Sequence, residues 1–220
     1  MACMNAQTMK PDVWFVLDNS NNPEQDWSDT PGILYESVAE QKPIGWMRNR
    51  CLEKALELGA DYIVFWDDDD YYPPKRIETA IKALQANPSA DIAGSSKMYM
   101  LVIPENVLMT TGPFHDKHAT AATMVVRRRY AETHRFLESK EKGEEKSFTG
   151  DWSATIVQVS AEDTIVVMGH GRNTVDKSDV AKTPKKYSAV VVNSINGKQV
   201  FRVRWPVEWG LFCRTFSVSR

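Results

Sequence analysis

Four consecutive carboxylates, Asp67-Asp68-Asp69-Asp70, stand directly after the apolar run Tyr62-Ile63-Val64-Phe65-Trp66. Neighbouring carboxylates repel, and their ionised forms are costly unless water or a cation neutralises them. If the extended geometry of the preceding run continues, Asp67 and Asp69 point to one side and Asp68 and Asp70 to the other. An Asp-x-Asp pair on one side suits a hard divalent cation, Mg²⁺ or Mn²⁺, which takes oxygen ligands and often bridges protein to substrate phosphates. Asp70 and Asp69 also fit as caps of a helix opening near Pro74, but capping does not account for four in a row.

The elements that must position these residues alternate. Asp12–Leu17 reads as a buried strand ending in the turn cluster Asp18–Pro23. Residues 21–42 read as a long irregular loop. From Gly45 to Leu58, apolar residues Met47, Cys51, Leu52, Ala55, Leu56 and Leu58 keep a helical period, and Gly59 stands where a helix C′ glycine belongs. Asp61–Trp66 is apolar nearly throughout, the mark of a strand covered on both faces. Pro73 and Pro74 open a second helix, with Ile77, Ala80, Ile81 and Leu84 as its stripe. Asp91–Ser95 is a third strand. Strand, helix, strand, helix, strand over residues 12–95 predicts an α/β fold with a mainly parallel central sheet and helices on both faces. The acidic run then lies beyond the carboxyl end of a strand, where ligands gather in such sheets. Further on, Lys97–Ile103, Thr123–Val126 and Thr164–Met168 read as strands, and Tyr130–Leu137 and Asp151–Val159 as helices. In the tail, Tyr187–Val192 and Gln199–Val203 read as a hairpin turning at Asn196-Gly197.

Bulk properties exclude other classes. With 27 basic against 29 acidic residues, net −2, no broad basic surface is available for nucleic acid. Cys3, Cys51 and Cys213 show neither a disulfide framework nor zinc spacing. The N-terminal residues carry no signal-peptide pattern, and apolar runs fall far short of the ~20 residues a membrane helix needs. The expectation is a soluble cytoplasmic protein with no transmembrane segment and no nucleic-acid partner.

Gly45-Trp46-Met47-Arg48-Asn49-Arg50, a helix, then Tyr62–Trp66, Asp67–Asp70, Tyr71-Tyr72 and Pro73-Pro74 resemble the GT-A-fold glycosyltransferases, family 2 in particular. Ala6-Gln7-Thr8, a strand and Asp18-Asn19-Ser20 are similar to that family's opening segment. The resemblance is continuous over about residues 5–96 and patchier to about 177. It implies a GT-A domain over 1–177, with a nucleotide-binding half at 1–96 and an acceptor half at 97–177. Residues 178–220 would form a strand-rich extension packed on that domain. The chain is expected to start inside the family's first helix, with the first strand absent.

By the same resemblance, Asp18 would contact the nucleotide base, though it equally fits an Asx-turn. Arg48 and Asn49 would lie near the nucleotide, against a reading as a solvated helix face. Asp67 and Asp68 would bind the nucleotide sugar. Asp69, Asp67 and His170 would hold Mn²⁺ or Mg²⁺. Asp151, in Thr149-Gly150-Asp151-Trp152, would be the catalytic base; it also fits a helix N-cap, and Glu144 and Glu145 are the alternatives. His115 and His118 could line an acceptor pocket or be plain loop residues. Arg127-Arg128-Arg129 fits a solvated strand end better than a phosphate clamp. The implied activity is metal-dependent, inverting transfer from a nucleotide diphosphate sugar, UDP foremost, to a glycan, glycoprotein or lipid-linked acceptor. A sugar nucleotidyltransferase and a non-catalytic nucleotide- or sugar-binding module are the rivals. The former would carry a Gly-rich phosphate loop, and none is present.

Overall fold

The computed structural model describes residues 2–19, 29–102, 107–169 and 188–189. The element order is α1 (Ala2–Ala6), β1 (Trp14–Asp18), β2 (Ile33–Ser37), α2 (Ile44–Glu57), β3 (Tyr62–Val64), α3 (Arg76–Ala86), β4 (Ile92–Gly94), β5 (Met98–Val102), β6 (Val107–Thr111), β7 (Val125–Arg127), α4 (Arg128–Ala131), α5 (Glu145–Phe148), β8 (Ile156–Gln158), β9 (Val166–Gly169) and β10 (Ser188–Ala189). The chain packs as two compact units, Met1–Met98 with Gly112–Val167, and Tyr99–Thr111 with Met168–Arg220. The smaller carries the sheet ordered β10-β6-β5-β9, in which β10 runs antiparallel to β6.

The larger unit is built on the sheet β3-β7-β4-β8. β7 runs antiparallel to both β3 and β4, and β8 runs parallel to β4. Three of four strands therefore point the same way, with β7 threaded in reverse between two of them. Alternation of side chains across these strands makes the two-faced core. Ile63, Ile92 and Val126 point into a cluster with Leu52 of α2, Phe65, Phe136 and Phe148. Ala93 and Val125, one residue out of phase, join Ile77, Ala80, Ile81 and Leu84 of α3 on the other face. β1 and β2 pair in parallel as a separate two-stranded sheet. Trp14 of β1 packs edge-on to Trp66 at 4.9 Å.

Several expectations are corrected. Ile33–Ser37 is a strand inside the stretch read as a loop; it takes regular structure because β1 offers it an edge, a long-range term that local patterning does not carry. The helix expected over Tyr130–Leu137 stops at Ala131. Asn49 explains why: its amide donates to the Phe136 carbonyl at 2.9 Å and accepts the Phe136 N–H at 2.8 Å, fixing that segment as non-helical chain. No helix opens at Asp151. Gly150, Asp151 and Trp152 have φ of 59°, 53° and 67°, a left-handed stretch that right-handed helix cannot include, and Ile156–Gln158 is strand. The hairpin expected at Tyr187–Val203 lies outside the described residues except for Ser188–Ala189.

α2 ends as expected, with Gly59 at φ 78°. Its buried stripe differs from the expected one: Gly45, Arg48, Asn49 and Leu52, helical spacing with polar groups at two of four positions. Gly45 is there because a Cβ would stand 2.2 Å from the Leu137 carbonyl oxygen. Arg48 and Asn49 face the protein interior, so the solvated-face reading falls. Replacing Asn49 with Ala orphans two buried backbone groups of Phe136 and is expected to cost about 2–4 kcal/mol, read as a lower urea midpoint at unchanged slope.

Candidate functional site

β3, β4 and β8 share a direction, so their carboxyl ends lie along one edge of the sheet, and the candidate site is built there. After β3, Phe65 still donates its N–H to the Met124 carbonyl at 3.2 Å. The chain then turns sharply at Asp68–Asp70, so the strand-like alternation expected for the four carboxylates does not hold. What fixes the turn is aromatic. The Trp66 and Tyr72 rings stack at 3.9 Å, and the Asp67 N–H donates to the Tyr72 hydroxyl at 2.8 Å. Tyr71 returns the chain to order by bridging Val166.

Arg48 joins this turn to a distant segment. Its guanidinium is 3.2 Å from the Asp67 carboxylate and donates Nε–H to Glu144 at 2.8 Å. Burial disfavours its charge, but the two carboxylates outweigh burial and hold its pKa above the ordinary value. Glu144 is itself buried. The next residue, Glu145, is partly buried; desolvation, with the negative charge of Glu144, raises its pKa. At the turn, partial desolvation and the charges of Asp69, Asp67 and Asp18 raise the pKa of Asp68. Asp18, at the end of β1, accepts the Tyr35 hydroxyl at 3.1 Å and is close enough for its charge to act on Asp68. The structure thus brings together Asp18, Arg48, Asp67, Asp68, Asp69, Glu144 and Glu145.

The other expected residues have the following surroundings. Asn49 spends its amide on Phe136. The Asp151 side chain is 81% exposed and lies 3.6 Å from Lys146. His170 lies outside the described residues. Arg127 donates to the carbonyls of Ala90 and Leu84, and Arg129 to Asp91, so these arginines brace the opposite edge of the sheet. Among the described residues no group of three or more His, Cys, Asp and Glu is placed to hold a metal ion. The accumulation of negative charge on Asp68 and its neighbours still fits a divalent cation, which can be held by one or two carboxylates plus substrate phosphates.

Sequence reasoning missed Tyr72 as a support and Glu144 as the partner of Arg48. A tyrosine following an acidic run was visible, but its contact with a backbone N–H was not. Trp152 stands beside Asp151 in the sequence with nothing local to mark a role; in the structure it packs on His118, with ring centroids 4.7 Å apart. His118 is buried, its Nδ1 has no hydrogen-bond partner, and desolvation with the nearby charge of His115 lowers its pKa to about 4.

Arg48→Met would leave Glu144 as an uncompensated buried charge and is expected to cost about 3–5 kcal/mol, measured by urea unfolding. For His118 the folded pKa lies below the unfolded value, so the unfolded chain binds more protons between them. Stability from this group is present above pH ~6.5 and lost as pH falls toward 4. Tm followed from pH 7 to 4 should fall less steeply in His118→Gln than in the unaltered chain.

No curated protein sequence matches the chain significantly. Solved structures similar in fold include S. aureus TarS residues 1–349, at 16% identity and TM-score 0.56, covering 76% of this chain and 55% of that one. The same fragment in complex with UDP-GlcNAc matches at 14% identity and TM-score 0.61, covering 79% and 54%. A longer TarS structure matches at 15% and TM-score 0.55, covering 82% and 34%. The chain therefore spans about half, or less, of the length of these neighbours. At such identities they show the fold, an α/β fold of the GT-A type. No helix among the described residues is long and apolar enough to cross a membrane. The sequence profile of glycosyl transferase family 2 matches residues 4–159, more than half of the chain, and the protein belongs to that family.

Proposed function

We propose that this chain transfers a glycosyl group from a nucleoside diphosphate sugar, UDP-linked, to an acceptor hydroxyl, with inversion at the anomeric carbon. The observation that carries this reading is the meeting of the acidic turn with the Arg48–Glu144 pair at the carboxyl edge of the sheet, in a member of glycosyl transferase family 2. UDP is favoured because a fold neighbour, TarS, has been solved in complex with UDP-GlcNAc. The acceptor is a glycan, a glycoprotein or a lipid-linked sugar.

Asp18 is assigned to the nucleotide base, and Asp67 and Asp68 to the nucleotide sugar. Asp69, with its neighbours on the turn, would hold Mn²⁺ or Mg²⁺, with His170 a further candidate ligand. Such a cation supplies charge neutralisation for the departing diphosphate. Asp67 is also engaged by Arg48, and that pair helps to fix the turn from which it would meet the sugar. The proton of the attacking hydroxyl goes to a carboxylate. Glu145 suits this role better than Asp151, because a general base works best with its pKa moved toward the working pH, and desolvation moves Glu145 that way. The exposed Asp151 beside Lys146 is the second candidate.

The test is incubation with UDP-, GDP- and dTDP-sugars in Mn²⁺ or EDTA, followed by assay of free nucleotide. Release of UDP that EDTA abolishes, and that Asp69→Ala lowers about 100-fold or more, is expected. With an acceptor present, Glu145→Gln should lower kcat by about 10²–10⁴-fold, and Asp151→Asn by less than about threefold. The reverse ranking would move the base to Asp151. No release from any donor by the folded protein would leave a nucleotide- or sugar-binding module.

A further inference from the structure

A second feature stands along the same edge of the sheet, outside the acidic turn. Phe114, His115, His118 and Trp152 form a continuous cluster of rings. Centroid separations are 4.6 Å for Phe114–His118, 4.7 Å for His118–Trp152, 5.4 Å for His115–Trp152 and 5.6 Å for His115–His118. Phe114 is 54% exposed, His115 is exposed and Trp152 is only partly buried. Exposed aromatic surface of this kind on a loop calls for an explanation.

The loop carrying it is fastened to the two strand ends beside the site. Gln158, at the end of β8, donates from Nε2 to the carbonyls of Asp116 and His118, both at 2.8 Å, and its Oε1 accepts the Ser96 N–H at 2.8 Å. The Phe114 N–H donates to the Ser96 carbonyl at 3.2 Å. So the loop carrying Phe114, His115 and His118 is held to the ends of β4 and β8 by the Gln158 side-chain amide and the Ser96 backbone. A prepositioned set of exposed rings is what a binding surface requires. Behind them His118 buries an Nδ1 that no protein group satisfies, a polar atom next to an apolar shelf.

The local charge selects the ligand class. His118 stays neutral above pH ~4, Lys146 and Asp151 beside the cluster pair with each other at 3.6 Å, and the exposed Asp116 and Lys117 of the same loop are opposite in sign. An uncharged ligand with one apolar face and a hydroxylated rim fits: its C–H face stacks on the ring faces, which carry negative electrostatic potential, and its hydroxyls meet water and the exposed His115 imidazole.

We infer that Phe114, His118 and Trp152 form a shelf that binds a neutral pyranose ring of the acceptor. The inference rests on the transferase reading only for the word acceptor; sugar binding by the shelf stands or falls separately. The test is saturation-transfer NMR on the full chain without donor, using cellotriose, chitotriose and maltotriose as probes, and UDP in a parallel tube. Transfer to ring C–H protons of at least one sugar is expected. It should weaken about tenfold in Trp152→Ala, about threefold in Phe114→Ala, and be kept in Trp152→Phe. Phe114 is more than half exposed, so its variant keeps the test valid if Trp152→Ala fails to fold, as judged by Tm and near-ultraviolet circular dichroism. No transfer to any sugar, or equal transfer in the folded variants, overturns the proposal. Loss of UDP rather than sugar signals in Trp152→Ala also overturns it, by giving the rings to the nucleotide base. Sugar binding that survives in a chain releasing no UDP would sink the transferase reading and leave the shelf standing.

Discussion

The buried guanidinium of Arg48 sets the terms for the rest of the site. A charge taken out of water is tolerated only when paired and hydrogen-bonded, and Arg48 meets this with carboxylates from two remote segments. One, Asp67, follows β3; the other, Glu144, is 96 residues away in sequence and opens α5. Because neither partner can leave without stranding a charge, the helix α2, the acidic turn and the start of α5 hold one relative placement. Asn49, one residue on, reinforces it by clamping Phe136, which stacks on Phe148 of α5 at 4.1 Å. The two polar positions in the buried stripe of α2 therefore do different jobs. Arg48 gathers the charged groups, and Asn49 fixes the chain segment behind them.

Against this stands the repulsion among Asp67, Asp68, Asp69 and Asp18. Partial desolvation, and with it this repulsion, raises the pKa of Asp68. The turn keeps its shape through apolar and backbone terms: Trp14 against Trp66, Trp66 on Tyr72, and the Tyr72 hydroxyl under the Asp67 N–H. Concentrated negative charge held by rigid aromatics is a stability cost located where a cation and a diphosphate would relieve it. These contacts keep the turn in shape despite the repulsion.

How much of this the sequence made legible follows from which terms are local. β1, α2, β3, α3 and β4 were readable because each has a strong period or a nearly uninterrupted apolar run, and the acidic run's place at a strand end came with them. The family resemblance added Asp18 and Arg48 to the site. What was not legible depends on contacts across the chain. β2 exists because β1 pairs with it. The truncation of α4 follows from an asparagine 87 residues earlier. The reverse course of β7 between β3 and β4 has no local signature either. The alternation assigned to Asp67–Asp70 failed because it assumed the strand continued, whereas a tyrosine hydroxyl capping the Asp67 N–H ends it.

The segment Gly150-Asp151-Trp152 shows how a local reading can choose the right stretch and weigh its residues differently from the fold. An aspartate before a tryptophan reads as an N-cap or a base. Yet two successive non-glycine residues at positive φ cost on the order of 1–3 kcal/mol each, and such strain persists only where something over-determines it. Asp151 gives little in return, since its carboxylate is 81% exposed and its cationic neighbour is on the surface. Trp152 gives more: the left-handed stretch carries its ring against both His115 and His118, and its backbone N–H donates to the Thr149 hydroxyl at 3.3 Å. The strained turn is thus best understood as placing the tryptophan, with the aspartate carried outward as a consequence.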